Sequence, residues 1–484
     1  MKKKVVALTM SAVMLGASLM GCGASGSETT AAASADAAQS ADTTAADTTA
    51  APETSVNVES VENAKEITGM DDAKLQGTEI TFWHAMGGVN GEALDYLVNK
   101  FNTENEYGIK VTSEYQGSYD DEINKLKSAQ LGNMGADLVQ VYDIGTRFMI
   151  DSGWIVPMQD LVDADGYDLS KIEPNIAAYY TVGDKLYSMP FNSSTPILYY
   201  NKDMFEKAGL TDAPTSFDEI AEAGDKLKAA GYDEPISLAI YGWFFEQFLC
   251  KQGLHYVNNG NGRDSYATAV DFDQNGGGLK ILEAWKKLYD GGYAPNVGRG
   301  GDAGLADFSS GSSAMTLGST ASLKQILQDV NGKFEVGTAY FPTVDSSTKG
   351  GVSIGGASLW ALDNGDDVKK AAVWKFVKFL VSPESQAYWN AQTGYFPVTT
   401  EASNEQVFKD NVAKFPQFET AINQLHDSAP EYAGGLLSVF PEARQIVETE
   451  IENMLNNGGE PAEALKAIAD QINQSITDYN DVNY

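Results

Sequence analysis

Residues 190–210 read PFNSSTPILYYNKDMFEKAGL. A polar cluster, Asn192-Ser193-Ser194-Thr195, stands directly against the apolar run Ile197-Leu198-Tyr199-Tyr200, and Pro190 and Pro196 punctuate the stretch. The apolar run has the content of a buried strand. Two readings of the polar cluster are open. Short polar side chains favour turns because they bond to nearby backbone groups. Polar groups on the connection into a buried strand are also well placed to meet a small molecule.

Outward from this stretch, strand and helix patterns alternate. TEITFWHAM (78–86) reads as a first core strand, and a helix follows over 91–101 with Leu94, Leu97, Val98 and Phe101 on one face. A strand near 109–115, a helix near 119–132 and a strand DLVQVYDI ending at Asp143 come next. Alternation of this kind predicts parallel βαβ units, in which ligands collect at the carboxyl ends of the strands; Asp143 stands at such an end. A strand at 196–201, helices at 217–230 and 278–289 and a strand at 311–319 extend the pattern into a second lobe. Ser319 is a good N-cap for a helix carrying Leu323, Ile326, Leu327 and Val330 on one face. Such a helix start either is simply capped or offers N–H groups to an anion.

The 484-residue chain opens with Met1-Lys2-Lys3-Lys4 and an apolar run from Val5 to Leu19, a signal peptide too short to be a membrane span. LMGC (19–22) makes Cys22 the candidate for lipidation. Cys250 is then left without a partner, so no intramolecular disulfide is available. Residues 23–58 are Ala, Ser, Thr and Asp with almost no large apolar side chain, the composition of a disordered stalk. The expected organisation is a signal peptide over 1–21, a lipidated N-terminus and stalk over 22–73, and two lobes made of 74–195 with 314–356 and of 196–313 with 357–484. The net charge of −34 argues against nucleic acid and anionic lipid as partners. The body is expected at the extracytoplasmic face of the cell membrane, held there by the lipid anchor alone.

The catalytic and metal motifs are sparse. The chain has no phosphate-binding P-loop and no zinc-helix motif, and His84, His255 and His426 are far apart. No cofactor is expected. GVSIG (351–355) matches a nucleophile elbow around Ser353, but it runs on into GASLWAL, which reads as strand, where the motif requires a helix. TGYFPVT (393–399) shapes a turn around Tyr395. PEARQIVETEIENML reads as a helix in which Arg444 either forms a surface pair with Glu448 or serves a ligand. Trp243 in YGWFFEQF fits a core as well as a site.

Taken in order, FWHAMGG, QVYDIGT, PFNSSTPILYYNKDMFEKAGL, the Ser319 turn, IGGASLW and TGYFPVT resemble the extracellular solute-binding proteins of ABC importers, most closely their glycerophosphate-binding branch. The resemblance implies an α/β, two-lobe periplasmic-binding-protein-like fold with hinge crossings and a ligand cleft. It also implies a monomeric, non-enzymatic binder that delivers sn-glycerol 3-phosphate or a glycerophosphodiester to the importer's transmembrane subunits. By motif the ligand contacts fall on Tyr119, Asp143, Ser194, Ser319, Gly356, Tyr395 and Arg444, with Trp243 beside them. Asp143 stands where the family has Glu, and the second aromatic that accompanies Trp243 in the family has no counterpart near 237–240. On chemical grounds Arg444 is expected to hold the phosphate and Asp143 the hydroxylated end, because a carboxylate facing a phosphate is repelled. A neutral sugar or oligosaccharide is the alternative ligand, since the fold does not fix it, and a lipoprotein hydrolase using Ser353 is a remote one.

Overall fold

The structure is a computed structural model in which residues 64–130, 135–345 and 350–484 are described. The signal peptide, Cys22 and the stalk as far as residue 63 lie outside the described residues. The strands in chain order are β1 (Glu79–His84), β2 (Lys110–Tyr115), β3 (Leu138–Tyr142), β4 (Ile155–Val156), β5 (Thr181–Val182), β6 (Lys185–Leu186) and β7 (Met189–Ser194). They continue with β8 (Pro196–Asn201), β9 (Ile236–Ile240), β10 (Asn296–Arg299), β11 (Met315–Ser319), β12 (Val336–Tyr340) and β13 (Gly355–Leu362).

Two sheets organise the body. The first runs β2-β1-β3-β13-β4, with β7 also paired to β13; the second runs β10-β9-β11-β8-β12, and β5 and β6 form a small hairpin. The expected parallel units appear at β1, β2 and β3 and at β9, β10 and β11. The returning strands β13, β8 and β12 are antiparallel to their neighbours. Helices form where the sequence supplies both cap and stripe. Asn201 ends β8 and caps the helix Lys202–Lys207 by accepting the Met204 N–H at 3.1 Å. Ser216 likewise caps Phe217–Ala229, whose Phe217, Ile220, Ala223 and Leu227 are buried.

The chain passes from the first sheet to the second at Thr195, the single residue between β7 and β8. It returns between β12 and β13. The long C-terminal helices, Phe440–Asn457 and Pro461–Asn483, pack on each other and on the second sheet's helices. This is the two-lobed periplasmic-binding-protein-like arrangement.

The lobe boundaries differ from the sequence expectation in two places. Residues 314–356 were assigned to the first lobe, but β11 and β12 both pair with β8, in registers such as Gly318↔Ile197 and Ala339↔Leu198. Residues 357–484 are expected in the second lobe, and the C-terminal helices do pack there, but β13 lies between β3 and β4, and the following helix puts Trp374 and Phe376 into the core that contains Phe82. β11 and β13 are buried along almost their whole length, and β12 is short, so hydrophobic pattern alone does not say which sheet receives them.

The folded body also begins earlier than residue 74. Residues 64–68 are helical, and Ala64, Ile67 and Leu75 are buried, the last two in the core of the first lobe. Lys375 Nζ meets Asp72 at 3.5 Å and ties this segment to the helix Asp367–Leu380. Ile67→Ala and Leu75→Ala should each lower the unfolding free energy by about 2 to 4 kcal/mol, measured by denaturant titration. A stalk that packs on nothing predicts no change.

Candidate functional site

A cavity of about 280 Å3 lies where the ends of β3, β7, β11 and β13 converge with the starts of several helices. All eight residues singled out by sequence line it: Tyr119, Asp143, Ser194, Trp243, Ser319, Gly356, Tyr395 and Arg444. They come from eight different elements or turns, so the tertiary fold brings them together.

One wall is built of neutral donors. Of the four residues in the opening polar cluster, Ser194 lines the cavity and the others are structural. Asn192 is fully buried and belongs to a relay that starts at the turn after β1. The Ala85 N–H donates to Gln140 Oε1 at 3.1 Å, Gln140 Nε2 donates to Asn192 Oδ1 at 2.7 Å, and Asn192 Nδ2 donates to the Tyr119 hydroxyl at 3.0 Å. Tyr119 is also hydrogen-bonded to the Tyr395 hydroxyl, so the two phenols together keep one proton to donate into the cavity. Thr195 instead accepts from Gln424 Nε2 at 3.1 Å. Ser319 accepts the Ala321 N–H at 3.2 Å as the expected cap, which again leaves a hydroxyl proton free.

Tyr395 is set by stacking on Trp389, which stacks in turn on Phe191. Gly356 has φ +92°, and a Cβ there would fall 1.9 Å from the Asn192 carbonyl oxygen, so no other residue fits this close crossing of β13 and β7. His84 stays neutral, its pKa pushed down to about 4 chiefly by burial, and its Nδ1 accepts the Met86 N–H at 3.2 Å. It thereby shapes the 85–87 turn that forms part of the lining.

The opposite wall is ionic. Arg444 is 7 % exposed and does not pair with Glu448. Its Nε and Nη2 donate to the two oxygens of Glu246 at 2.6 and 2.9 Å, and Nη2 also donates to Asp143 Oδ2 at 3.0 Å. Glu448 accepts the Gly242 N–H at 2.9 Å and so caps the helix Gly242–Gln252 that carries both Trp243 and Glu246. The surface-pair reading of Arg444 therefore fails. So does the placement of Arg444 and Asp143 at opposite ends of a ligand, because the two side chains touch. With both carboxylates ionised the trio carries a formal charge of −1. Burial, opposed by the Arg444 charge, raises the Asp143 carboxyl above its ordinary range and that of Glu246 to about 7.

Sequence reasoning missed three lining or supporting groups. Tyr241 lines the cavity and meets Trp243 edge to face with ring centroids 6.0 Å apart. Trp243 thus has an aromatic neighbour at the cavity, one residue beyond 237–240. The Trp243 indole N–H is buried and has no partner among the described residues. Glu246 carried no signal of its own, since a lone Glu in an apolar helix becomes informative only beside its partner. Asp302, on a glycine turn, also lines the cavity.

Ser353 is no elbow nucleophile. It accepts from Gln247 Nε2 at 2.8 Å, and its segment continues into β13 without a helix. His426 lies near Glu173, at 3.5 Å. No cluster of three or more metal-ligating side chains occurs among the described residues, and no helix there is long and apolar enough to cross a membrane.

Two sheets linked by crossings, with a polar cavity built where strand ends of both converge, define a binding protein that takes up a small hydrophilic molecule. The chain belongs to the bacterial extracellular solute-binding protein family, whose pattern matches residues 96–417. It is a solute-binding component of an ABC importer and not an enzyme.

It is 36% identical over 420 residues to the sn-glycerol-3-phosphate-binding periplasmic protein UgpB of Salmonella typhimurium, covering 83% of this chain and 93% of that protein. Over 414 residues it is 34% identical to UgpB of Escherichia coli K12, covering 82% and 92%. Among solved structures, UgpB of Mycobacterium tuberculosis in complex with glycerophosphocholine superposes with a TM-score of 0.71 at 23% identity, over 83% of this chain and 99% of that one. The cyclic α-maltosyl-1,6-maltose binding protein of Arthrobacter globiformis gives 0.68 at 21%, over 83% and 99%. The solved structures share the fold.

The raised pKa of Glu246 has a sign. The folded protein holds this proton to higher pH than the unfolded chain, so the associated stability is fully present below the ordinary value of 4.5 and is lost as pH rises to about 7. The stability of wild type relative to Glu246→Gln should therefore fall across that window in thermal or denaturant unfolding. A flat difference would mean that Glu246 is ionised throughout.

Proposed function

We propose that the chain captures sn-glycerol 3-phosphate or one of its diesters, with the phosphate on the neutral donors of Ser194, Ser319, Tyr119, Tyr395 and the Gly356 backbone, and the glycerol hydroxyls on Asp143 and Arg444. The observation that carries this orientation is the contact of Arg444 with two carboxylates. A phosphate placed on Arg444 would lie against Asp143 and Glu246 as well, whereas hydroxyls can donate to Asp143 and accept from the remaining Arg444 donors. The opposite wall supplies hydroxyls and an N–H whose donors no carboxylate occupies among the described residues; Asp302, which also lines the cavity, accepts none of them, which leaves them to a phosphate. Similarity to the UgpB proteins supports the ligand class. A neutral sugar is the competing ligand, because sugar binders share the fold.

Calorimetry with glycerol 3-phosphate, glycerophosphocholine and maltose tests the reading. Binding of the glycerophosphates and no heat with maltose is expected; the reverse would replace the ligand class. Arg444→Lys should weaken binding by roughly 10- to 100-fold because an ammonium cannot reproduce the planar fork. Arg444→Ala should in addition lower stability by about 3 to 5 kcal/mol, since two buried carboxylates lose their cation. Wild-type affinity in Arg444→Lys would remove this residue from the site.

The same reading includes a lipid anchor at Cys22, supported by the LMGC stretch behind an apolar leader. The binder would then act as a monomer tethered at the outer face of the membrane beside the importer's transmembrane subunits. Cys22→Ala should release the protein from membranes and leave ligand affinity unchanged, as fractionation and calorimetry would show. Retention of the unacylated protein on membranes would contradict the anchor.

A further inference from the structure

We propose that Asp302 makes this site selective for glycerophosphodiesters whose head group is a cation, such as a choline or ethanolamine ester, and that it disfavours glycerol 3-phosphate itself. The inference rests on the glycerophosphate reading of the cavity and specifies which member of that class the chain takes.

The ligand cavity adjoins a second, larger one of about 400 Å3, because Gly87, Asn90, Asp302, Ala321 and Ser322 line both. With the phosphate on the hydroxyl wall, the second ester of a diester has this space to enter. The only charged side chains lining the second cavity among the described residues are Asp302 and Asp329. Asp329 already accepts from Gln325 Nε2 at 2.8 Å.

The Asp302 carboxylate has no hydrogen bond or ion pair among the described residues, although its backbone is fixed. Its carbonyl accepts the Leu305 N–H at 3.1 Å, and the preceding turn is closed by the Ala303 N–H on the Gly300 carbonyl at 3.1 Å. The carboxylate is close enough to the Tyr395 hydroxyl to contribute to its raised pKa, behind the larger effect of burial. Asp302 therefore stands near the phosphate wall. The neighbouring Gly301 lies against the Tyr241 ring, where an added Cβ would sit 3.0 Å from a ring carbon.

These placements give each class of ligand a different electrostatic balance. A phosphate monoester carries about −1.5 to −2 charges at neutral pH, and the unpaired Asp302 beside it is repulsive. A diester carries a single negative charge. If its head group is an ammonium, that cation meets the Asp302 carboxylate, with the Tyr241 ring nearby. A neutral head group gains nothing from Asp302, and an anionic one finds no basic side chain in the second cavity. Discrimination then comes as much from repulsion of the wrong ligand as from attraction of the right one.

Calorimetry at low ionic strength on wild type and Asp302→Asn, with glycerophosphocholine, glycerophosphoglycerol and glycerol 3-phosphate, tests this. Asp302 is exposed, so the variant is expected to fold, and its unfolding temperature checks that. Wild type should bind glycerophosphocholine most tightly. Asp302→Asn should weaken that ligand by about fivefold to tenfold, leave glycerophosphoglycerol unchanged and tighten glycerol 3-phosphate. Equal effects on all three ligands, or none, would overturn the role of Asp302 while leaving the glycerophosphate reading intact. Failure of all three to bind wild type would overturn both.

Discussion

The structure turns on the buried contact of Arg444 with Glu246 and Asp143. These three side chains come from the C-terminal helix Phe440–Asn457, the helix Gly242–Gln252 and the turn after β3, so the contact joins the second lobe to the first. Two carboxylates on one guanidinium leave a formal excess of negative charge in a place with little water to screen it. Isolated buried carboxylates would be strongly disfavoured, and the shared cation together with the raised proton affinity of Glu246 is what makes the arrangement tenable. A contact of this kind is a poor source of net stability and a good source of geometry. It fixes where hydrogen-bond donors and acceptors point at one end of the cavity.

That constraint sets the polarity of the rest of the site. Because two carboxylates already take the Arg444 donors, an anionic group is better placed against the unoccupied donors across the cavity. Those donors are themselves held by buried relays: the chain from Ala85 through Gln140 and Asn192 to Tyr119, and the stack of Phe191, Trp389 and Tyr395. Each fixes a hydroxyl at the cavity wall, and the bond between the Tyr119 and Tyr395 hydroxyls leaves one proton of the pair free. A site prepared in this way loses little freedom when it takes a ligand. The crossing at Thr195, directly after Ser194, places one of these hydroxyls where the chain passes between the lobes.

Much of this was legible in the sequence because it is written locally. The strand-helix alternation through Asp143, the β8 run after Pro196 and the Ser319 cap are all local patterns, and each is found within a few residues of where it was expected. The eight cavity residues are what the resemblance to the family implies; the residues read alone leave each of them open. What could not be read locally was pairing. The apolar strands β11, β12 and β13 carry no mark of which sheet they join, and the partner of Arg444 lies 198 positions away at Glu246, not one helical turn away at Glu448. The same limit makes the segment around Ile67 read as stalk: two or three apolar residues beside a polar tract show their burial only once the helix Asp367–Leu380 is packed against them. Chemical intuition erred for a related reason, by treating Arg444 as a free cation when two distant carboxylates already hold it.

A crystal structure of the protein with a bound glycerophosphodiester tests the central claim most directly, since that claim concerns orientation. The account predicts phosphate oxygens within hydrogen-bonding distance of the Ser194, Ser319, Tyr119 and Tyr395 hydroxyls, and glycerol hydroxyls on Asp143 and Arg444 with the Arg444–Glu246 pair intact. A phosphate seated directly on Arg444, with Glu246 displaced from the guanidinium, would contradict it.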